Sequence, residues 1–352
     1  MKNKFLSIVL IIVLLLTTGC GNSSYIMDKN NKVVINEKTG QNLQKDIYCR
    51  PDKNSDVYKL YEKYEKQMKN KLSELPECKK FSILSNKTSS LWQFLFVKPL
   101  AFLILKLGYL FKSLGMTKAY LGLSLMLVGL MIRLIILPFN IKTQKQSKKM
   151  QDLAPELKRI EKKYANKNDQ ESMIMKSQET MALYQKYNIS PFLSCLLSLV
   201  QLPLFFAFLQ AIYKIPAIYE GEILGWNLGT TPSVGLFTNH QYTYIILIAL
   251  IILTTYFSFK YTMKQTQTTM PDGKSQMNTM LIVMTVLIAF ASFSLPTAIA
   301  LYWIVTYAFI IVQTYIMNLI DTKKNKKGND KKNSKIKEKL ETKAGMKYGK
   351  NS

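Results

Sequence analysis

The stretch GLMIRLIILPF, residues 129–139, closes an apolar run that begins at residue 119 and is long enough to span a bilayer. It carries one arginine, Arg133, inside that run. An arginine at the centre of a membrane costs about 2.5–3.5 kcal/mol on insertion scales, so its default interpretation is functional. A simple membrane anchor is the alternative, because a polar flank begins at Asn140 and arginine side chains reach towards headgroups.

The composition of the chain is that of a membrane protein. Its 352 residues include 48 basic and 22 acidic side chains, a formal charge of +26, and 48% of them are hydrophobic. Such a charge on a soluble protein suggests nucleic-acid binding. Here the apolar residues cluster in runs between lysine-rich segments, which is typical of spans flanked by topology signals. We therefore expect no nucleic-acid partner other than the ribosome.

The N-terminus has the features of a lipoprotein signal peptide, residues 1–19. Two lysines precede an apolar stretch, and small residues follow before Cys20. LTTGC, residues 16–20, resembles a bacterial lipobox, which predicts lipidation of Cys20, for example with palmitate, and an external mature N-terminus. Thr17 departs from the leucine usual at that position. An uncleaved first span or ordinary signal cleavage is the alternative.

No motif for covalent chemistry is present in the sequence. It has one histidine, His240, and no paired Cys/His spacing, phosphate loop, nucleophile motif or carboxylate pair within a span. We therefore predict no catalytic residue, no metal site and no cofactor, and a protein that is not an enzyme. Cys49 and Cys78 form either a disulfide or two free thiols, since two cysteines fix no framework.

Two regions precede the apolar core, which we place at residues 115–320. Residues 20–90 are polar and are predicted to be an extracellular segment, a mobile spacer with one modest amphipathic helix. Residues 91–114 are apolar, but three lysines interrupt one side of the helix. That pattern favours an amphipathic helix in the membrane interface over one that crosses. A crossing helix would invert the topology of everything after it.

The core contains five predicted spans and a basic insertion. The spans lie at about residues 119–139, 190–213, 242–259, 277–293 and 298–319. Residues 140–188 read as a basic helical hairpin, and residues 321–352 as a basic tail with 12 lysines against 4 acidic residues. An external N-terminus and five spans place the hairpin and the tail in the cytoplasm, as the positive-inside rule requires. The 14 basic and 9 acidic residues of 21–90 oppose that rule.

Polar side chains form a stripe on every predicted span. Gln201 continues such a stripe on the second span, and Trp303 shares a face with Tyr307 on the fifth. Hydrogen bonds between helices explain serine and threonine there. They do not neutralise Arg133, and no predicted span contains Asp or Glu. We therefore predict a water-filled cationic recess in the inner half of the membrane that attracts acidic or polar peptide segments.

Several motifs together resemble the YidC/Oxa/Alb membrane-protein insertase family. They are the arginine-bearing span, the hairpin, SPFLSCLLSLVQLP at residues 190–203 and PTAIALYW at residues 296–303. Their order matches the five-span form of Gram-positive-type bacteria, often a lipoprotein, over about residues 91–320. The chain departs from the family's pattern at three places: its usual Asn-Pro, Gly-Cys-Leu-Pro and Pro-Ala-Gly read Ser-Pro, Ser-Cys-Leu-Leu and Pro-Thr-Ala here.

The resemblance implies an all-α integral membrane protein with a hydrophilic groove open to cytoplasm and lipid. Arg133 matches the arginine that receives the hydrophilic part of a substrate, and Gln201 and Trp303 match groove-lining residues. The implied function is insertion of nascent membrane proteins into the bacterial plasma membrane, alone or with the Sec translocon. The ribosome, targeting factors and membrane lipids are the further implied partners.

Two other functions fit parts of the sequence. A transporter or channel subunit would bind an anionic solute at Arg133 and would predict inverted repeats with broken helices. The sequence shows no two-fold repeat. A structural lipoprotein anchored by several spans would tolerate substitution of Arg133.

Overall fold

The computed structural model describes residues 24–85, 90–165, 169–189, 192–264, 273–320 and 322. The signal peptide, Cys20 and nearly all of the basic tail, for which we made predictions, lie outside these ranges. The described residues divide into two compact units after residue 307.

The described part of the chain is mainly helical. Its α-helices are α1 (Asp56–Lys63), α2 (Lys98–Ser113), α3 (Tyr120–Asp152), α4 (Ala154–Tyr164), α5 (Gln170–Lys186), α6 (Phe192–Tyr213), α7 (Pro216–Glu220), α8 (Pro232–Phe237), α9 (Tyr244–Lys264), α10 (Gly273–Ser294) and α11 (Thr297–Ile320). A π-helical turn, Gln93–Val97, leads into α2. Two antiparallel hairpins pair β1 (Ile35–Asn36) with β2 (Gln41–Asn42), and β3 (Glu222–Ile223) with β4 (Trp226–Asn227).

Among the described residues, four helices are long and apolar enough to cross a membrane. They are Gln93–Ser113, Tyr120–Asp152, Tyr244–Thr262 and Thr297–Ile320. The helices α6 and α10 have 22 residues each, about 33 Å at 1.5 Å per residue. The all-α, multi-pass membrane class is thereby confirmed. The number of spans and the interfacial position of residues 91–114 stay predictions.

The first predicted span continues into the region predicted as a hairpin. The helix α3 passes through Pro138 and ends only at Asp152, because the residues after the proline include neither glycine nor a turn motif. The hairpin itself consists of α4 and α5. Lys163 forms an ion pair with Glu179, and Tyr187 donates to Glu156, so the two helices run antiparallel.

Residues 24–85 form a folded unit, which we call the N-terminal cap. The expectation of a mobile spacer is wrong for this segment. Cys49 and Cys78 are joined by a disulfide, which settles the alternative that the sequence left open. Its buried apolar residues cluster around Tyr219 of α7. They include Ile26, Val34, Leu43, Ile47, Val57, Tyr61, Leu72 and Leu75.

The main apolar core joins α2, α3, α6 and the first turns of α11. Its fully covered side chains include Ile104, Leu125, Phe208 and Ile299. Tyr48 and Phe81 of the cap belong to the same core, and their rings stack with centroids 5.5 Å apart. The cap therefore shares one apolar core with the helices that carry Arg133 and Gln201.

Candidate functional site

Arg133 lies on α3 and is buried, with 7% of its surface exposed. Its Nη1 donates a hydrogen bond to Oε1 of Gln201 on α6 across 3.1 Å. The Nε2 of Gln201 in turn donates to the hydroxyl of Tyr302 on α11 across 3.4 Å. Three helices thus meet in a chain of polar contacts, and the predicted residues Arg133 and Gln201 are direct partners.

A glycine one turn before Arg133 lets α3 and α11 approach each other. A Cβ at Gly129 would lie 3.0 Å from Cδ2 of Tyr302. The Tyr302 ring also stacks on Phe208, with centroids 4.3 Å apart. Gly122 and Gly129 share the face of Arg133, and small residues there either leave space beside the guanidinium or allow close helix packing. The structure shows close packing at both, since Ile223 fills the place of a side chain at Gly122 in the same way.

The guanidinium of Arg133 is only partly satisfied by the protein. Its Nε is buried and has no hydrogen-bond partner among the described residues. Arg133 also takes part in none of the side-chain ion pairs that the described residues form. Its identified partner, Gln201, is neutral, so the positive charge stays uncompensated there. Water or an incoming acceptor completes the solvation of such a group.

Trp303 packs beside the polar chain rather than within it. It is nearly buried, and its ring stacks on Phe205 with centroids 5.8 Å apart and planes 13° apart. Phe205 is four residues after Gln201, so it lies one turn further along the same face of α6 and supports Trp303 there. The structure therefore brings together Arg133 and Gln201, with Trp303 as their apolar neighbour on α11.

Tyr302 is the site residue that the sequence analysis missed. It is 1% exposed and lies next to Trp303 in the sequence, where a tyrosine in an apolar helix looks like ordinary packing. Its spacing to Thr306 marks the face of α11 that meets Gly129. The spacing identifies this face but does not indicate that the Tyr302 hydroxyl is used.

Hydroxyls of the predicted polar stripes, such as Thr306 and Ser292, and the hydroxyl of Ser124 on α3 bond to their own helix. Ser124 donates to the Leu121 carbonyl, Thr306 to that of Trp303, and Ser292 to that of Ala289. Such bonds satisfy the hydroxyl locally and need no water-filled space. The hydrated recess stays a prediction that rests on Arg133.

The chain matches a family model described as 60Kd inner membrane protein over residues 113–326, more than half of its length. The chain belongs to the YidC/Oxa/Alb family. The membrane protein insertase YidC of Oceanobacillus iheyensis is 37% identical to it over 192 residues, 53% of this chain and 69% of that protein. The membrane protein insertase MisCA of Bacillus subtilis is 36% identical over 192 residues, covering 54% and 68%.

A solved structure of a YidC insertase is also similar to this chain. The crystal structure of an active YidC insertase with its first transmembrane domain resolved gives a TM-score of 0.45 at 23% identity, over 66% of this chain and 48% of that one. The N-terminal cap lies before the region that the family model matches.

Proposed function

We propose that this chain is a membrane protein insertase in which Arg133, held by Gln201, receives the hydrophilic segment of a nascent membrane protein. The observation that carries this proposal is a buried guanidinium whose identified protein partner is a neutral amide. The names of its relatives as membrane protein insertases support the same function.

The neutral partner is what makes Arg133 suitable for this work. An Asp or Glu in place of Gln201 would pair with the guanidinium and occupy it. A side-chain amide accepts one N–H and leaves the charge and the remaining donors free for another acceptor. A carboxylate or a peptide carbonyl of a substrate then gains a charge-assisted hydrogen bond, which is stronger than one between neutral groups.

Binding at Arg133 lowers the cost of bringing polar peptide into the membrane. A carboxylate alone in a low-dielectric medium carries a large desolvation penalty, and a nearby positive charge offsets part of it. The contact is released again when the segment moves on, because no covalent bond is made. The protein thus acts as a local solvent, and no catalytic group or cofactor takes part.

The membrane topology is part of the same proposal. Cys20 carries a lipid anchor outside the bacterial plasma membrane, five helices cross, and the α4–α5 hairpin and the tail lie in the cytoplasm. The lysines of the hairpin and the tail suit contacts with the ribosome, and the Sec translocon and targeting factors are further partners.

A complementation experiment tests this function. A host depleted of its own insertase receives this chain, and insertion of a single-span substrate with an acidic external tail is followed by protease protection. We expect rescue by the intact chain, a strong loss with Arg133→Ala, and partial recovery with Arg133→Lys. Leu134→Ala, on the exposed neighbouring position, is the matched control.

The substrate tail separates the role of Arg133 from the function as a whole. A substrate whose tail carries no charge should depend less on Arg133 than the acidic one. Failure of the intact chain to rescue contradicts the insertase function. Equal rescue of both substrates by Arg133→Ala contradicts only the assigned role of the arginine.

A further inference from the structure

The tip of the β3–β4 hairpin exposes a leucine in an unfavourable backbone conformation. Leu224 and Gly225 are its two loop residues, since Ile223 pairs with Trp226. Their φ angles are +52° and +83°. Type I′ turns have positive φ at both loop positions and strongly prefer Asn-Gly or Asp-Gly, because a bulky side chain in the left-handed region is strained.

Leu224 is also the most exposed large hydrophobic side chain in the described part of the chain, at 81%. An asparagine would suit both the turn and a watery surface better. A leucine at this position is therefore unfavourable both for the backbone conformation of the turn and for exposure to water. Both costs point to an apolar partner outside the chain.

The hairpin holds Leu224 in this position. Ile223 and Trp226 are buried at 6% and 7% exposure. The Nδ2 of Asn227 donates to the Tyr219 carbonyl across 2.9 Å, and the Leu228 N–H donates to the Gly221 carbonyl, also across 2.9 Å. These buried side chains and hydrogen bonds fix the position of the hairpin tip relative to the rest of the protein.

The level of the tip relative to the membrane follows from its contact with α3. A Cβ at Gly122, in the first turn of this helix, would lie 2.9 Å from Ile223. Beside it the rings of Tyr109 and Tyr120 lie 5.7 Å apart. The Nζ of Lys112 lies 5.9 and 5.1 Å from their centroids. Tyrosines and lysines at the end of an apolar helix mark the membrane–water boundary.

We infer that Leu224 inserts into the bilayer at the boundary where α3 begins, among the upper acyl chains of the lipids. The partner is lipid because the hairpin is packed on a membrane-crossing helix at that level. This contact fixes the depth of α3. Arg133 lies 13 residues beyond Tyr120, about 20 Å further along the helix, well inside a hydrocarbon core about 30 Å thick.

A spin label at position 224 tests this inference directly. The full chain with Leu224→Cys and Cys195→Ser is labelled and placed in vesicles of phosphatidylethanolamine and phosphatidylglycerol, and Cys20 is left unchanged because the proposed lipid anchor is attached to its sulfur. Cys49 and Cys78 are disulfide-bonded and do not react. We expect the label to be more accessible to oxygen than to a water-soluble nickel complex. Ile135→Cys on α3 is the lipid control and Lys53→Cys on the cap is the aqueous control.

The substitution Leu224→Asn gives an independent measurement. It should leave the thermal unfolding temperature in detergent unchanged or higher, because Asn-Gly suits the turn. In vesicles a label at Tyr120→Cys should shift towards water. A label at position 224 as accessible to nickel as the one at position 53 overturns the inference. A lower unfolding temperature of Leu224→Asn in detergent also overturns it, since it would mean that Leu224 packs within the protein.

Discussion

Asp46 of the N-terminal cap and Lys214, directly after α6, form a largely buried ion pair, with side-chain exposures of 15% and 9%. The Lys214 ammonium also lies 5.1 Å from the centre of the Tyr48 ring, and the Tyr48 N–H donates to the Lys214 carbonyl across 2.9 Å. This pair fastens the cap to the helix that carries Gln201.

Removing one partner of this pair should loosen the cap. Asp46→Ala leaves a buried ammonium unpaired, which costs about 3–5 kcal/mol when a buried pair is broken. Hydrogen exchange of residues 43–48 should therefore rise strongly. Asp56→Ala is the matched control, because the Lys38–Asp56 pair is exposed and pairs of that kind contribute little. Equal effects of the two substitutions would contradict the assigned role of Asp46.

The Asp46–Lys214 pair should also make the free energy of unfolding depend on pH. Burial lowers the pKa of Lys214 from 10.5, and Asp46 opposes that shift. Between the lowered pKa and 10.5 the unfolded chain binds more protons at this residue, so its contribution to stability rises with pH. The difference in unfolding free energy between the wild type and the double variant Asp46→Asn, Lys214→Met should therefore grow over that window. A difference in unfolding free energy that does not change with pH would contradict the lowered pKa of Lys214.

The disulfide should stabilise the cap. Cys49 and Cys78 are 29 residues apart, and closing a loop of that size contributes about 3–4 kcal/mol in the chain-entropy treatment. The double variant Cys49→Ser, Cys78→Ser should lower the unfolding temperature of the cap. Adding a reductant should lower the unfolding temperature of the wild type by the same amount. It should not change that of the variant, which therefore serves as the control for other effects of the reductant.

Gln201 should matter through its neutral charge as well as its hydrogen bond. Gln201→Glu places a carboxylate 3.1 Å from the guanidinium, so the charge of Arg133 is neutralised within the protein. We expect a folded protein with reduced insertion of an acidic-tailed substrate. Gln201→Leu removes the hydrogen bond but keeps the charge uncompensated. If the glutamate variant inserted that substrate as well as the wild type, a free charge on Arg133 would not be required.

Gly129 should tolerate no larger side chain. Gly129→Val directs methyl groups into the Tyr302 ring, and overpacking of this kind costs about 1–3 kcal/mol. The thermal unfolding temperature should fall, and insertion should fall with it as α11 moves away from α3. Met131→Val, at a position of α3 that is 36% exposed, is the control and should have a small effect.

The sequence singled out Arg133 and Gln201, but not the hydrogen bond between them, for physical reasons. A charge inside an apolar run is costly wherever it points, so Arg133 was recognisable without any tertiary information. Gln201 could be placed on a polar stripe by helical periodicity. Tyr302 could not, because a tyrosine in an apolar helix has the same local pattern whether its hydroxyl is used or not.

The N-terminal cap could not be predicted because its core is not local. Apart from the amphipathic helix α1, its apolar residues follow no helical or strand period, and the cluster also includes Tyr219, which lies beyond α6 in the chain. Two cysteines alone also do not determine whether they pair. In α3 the change to polar residues after Phe139 marks the end of the apolar run but not the end of the helix, which continues to Asp152.

The position of Tyr219 in the apolar cluster of the cap determines the order in which parts of the protein can fold during synthesis. Residues 24–85 leave the ribosome long before Tyr219 does, so they wait with an open apolar cluster while α2 to α6 are made. The bridge between Cys49 and Cys78 needs nothing from later in the chain and is available during that wait. Seating of the cap on Tyr219 and Lys214 is thus a late step of maturation, and it occurs only after α6 has reached its position.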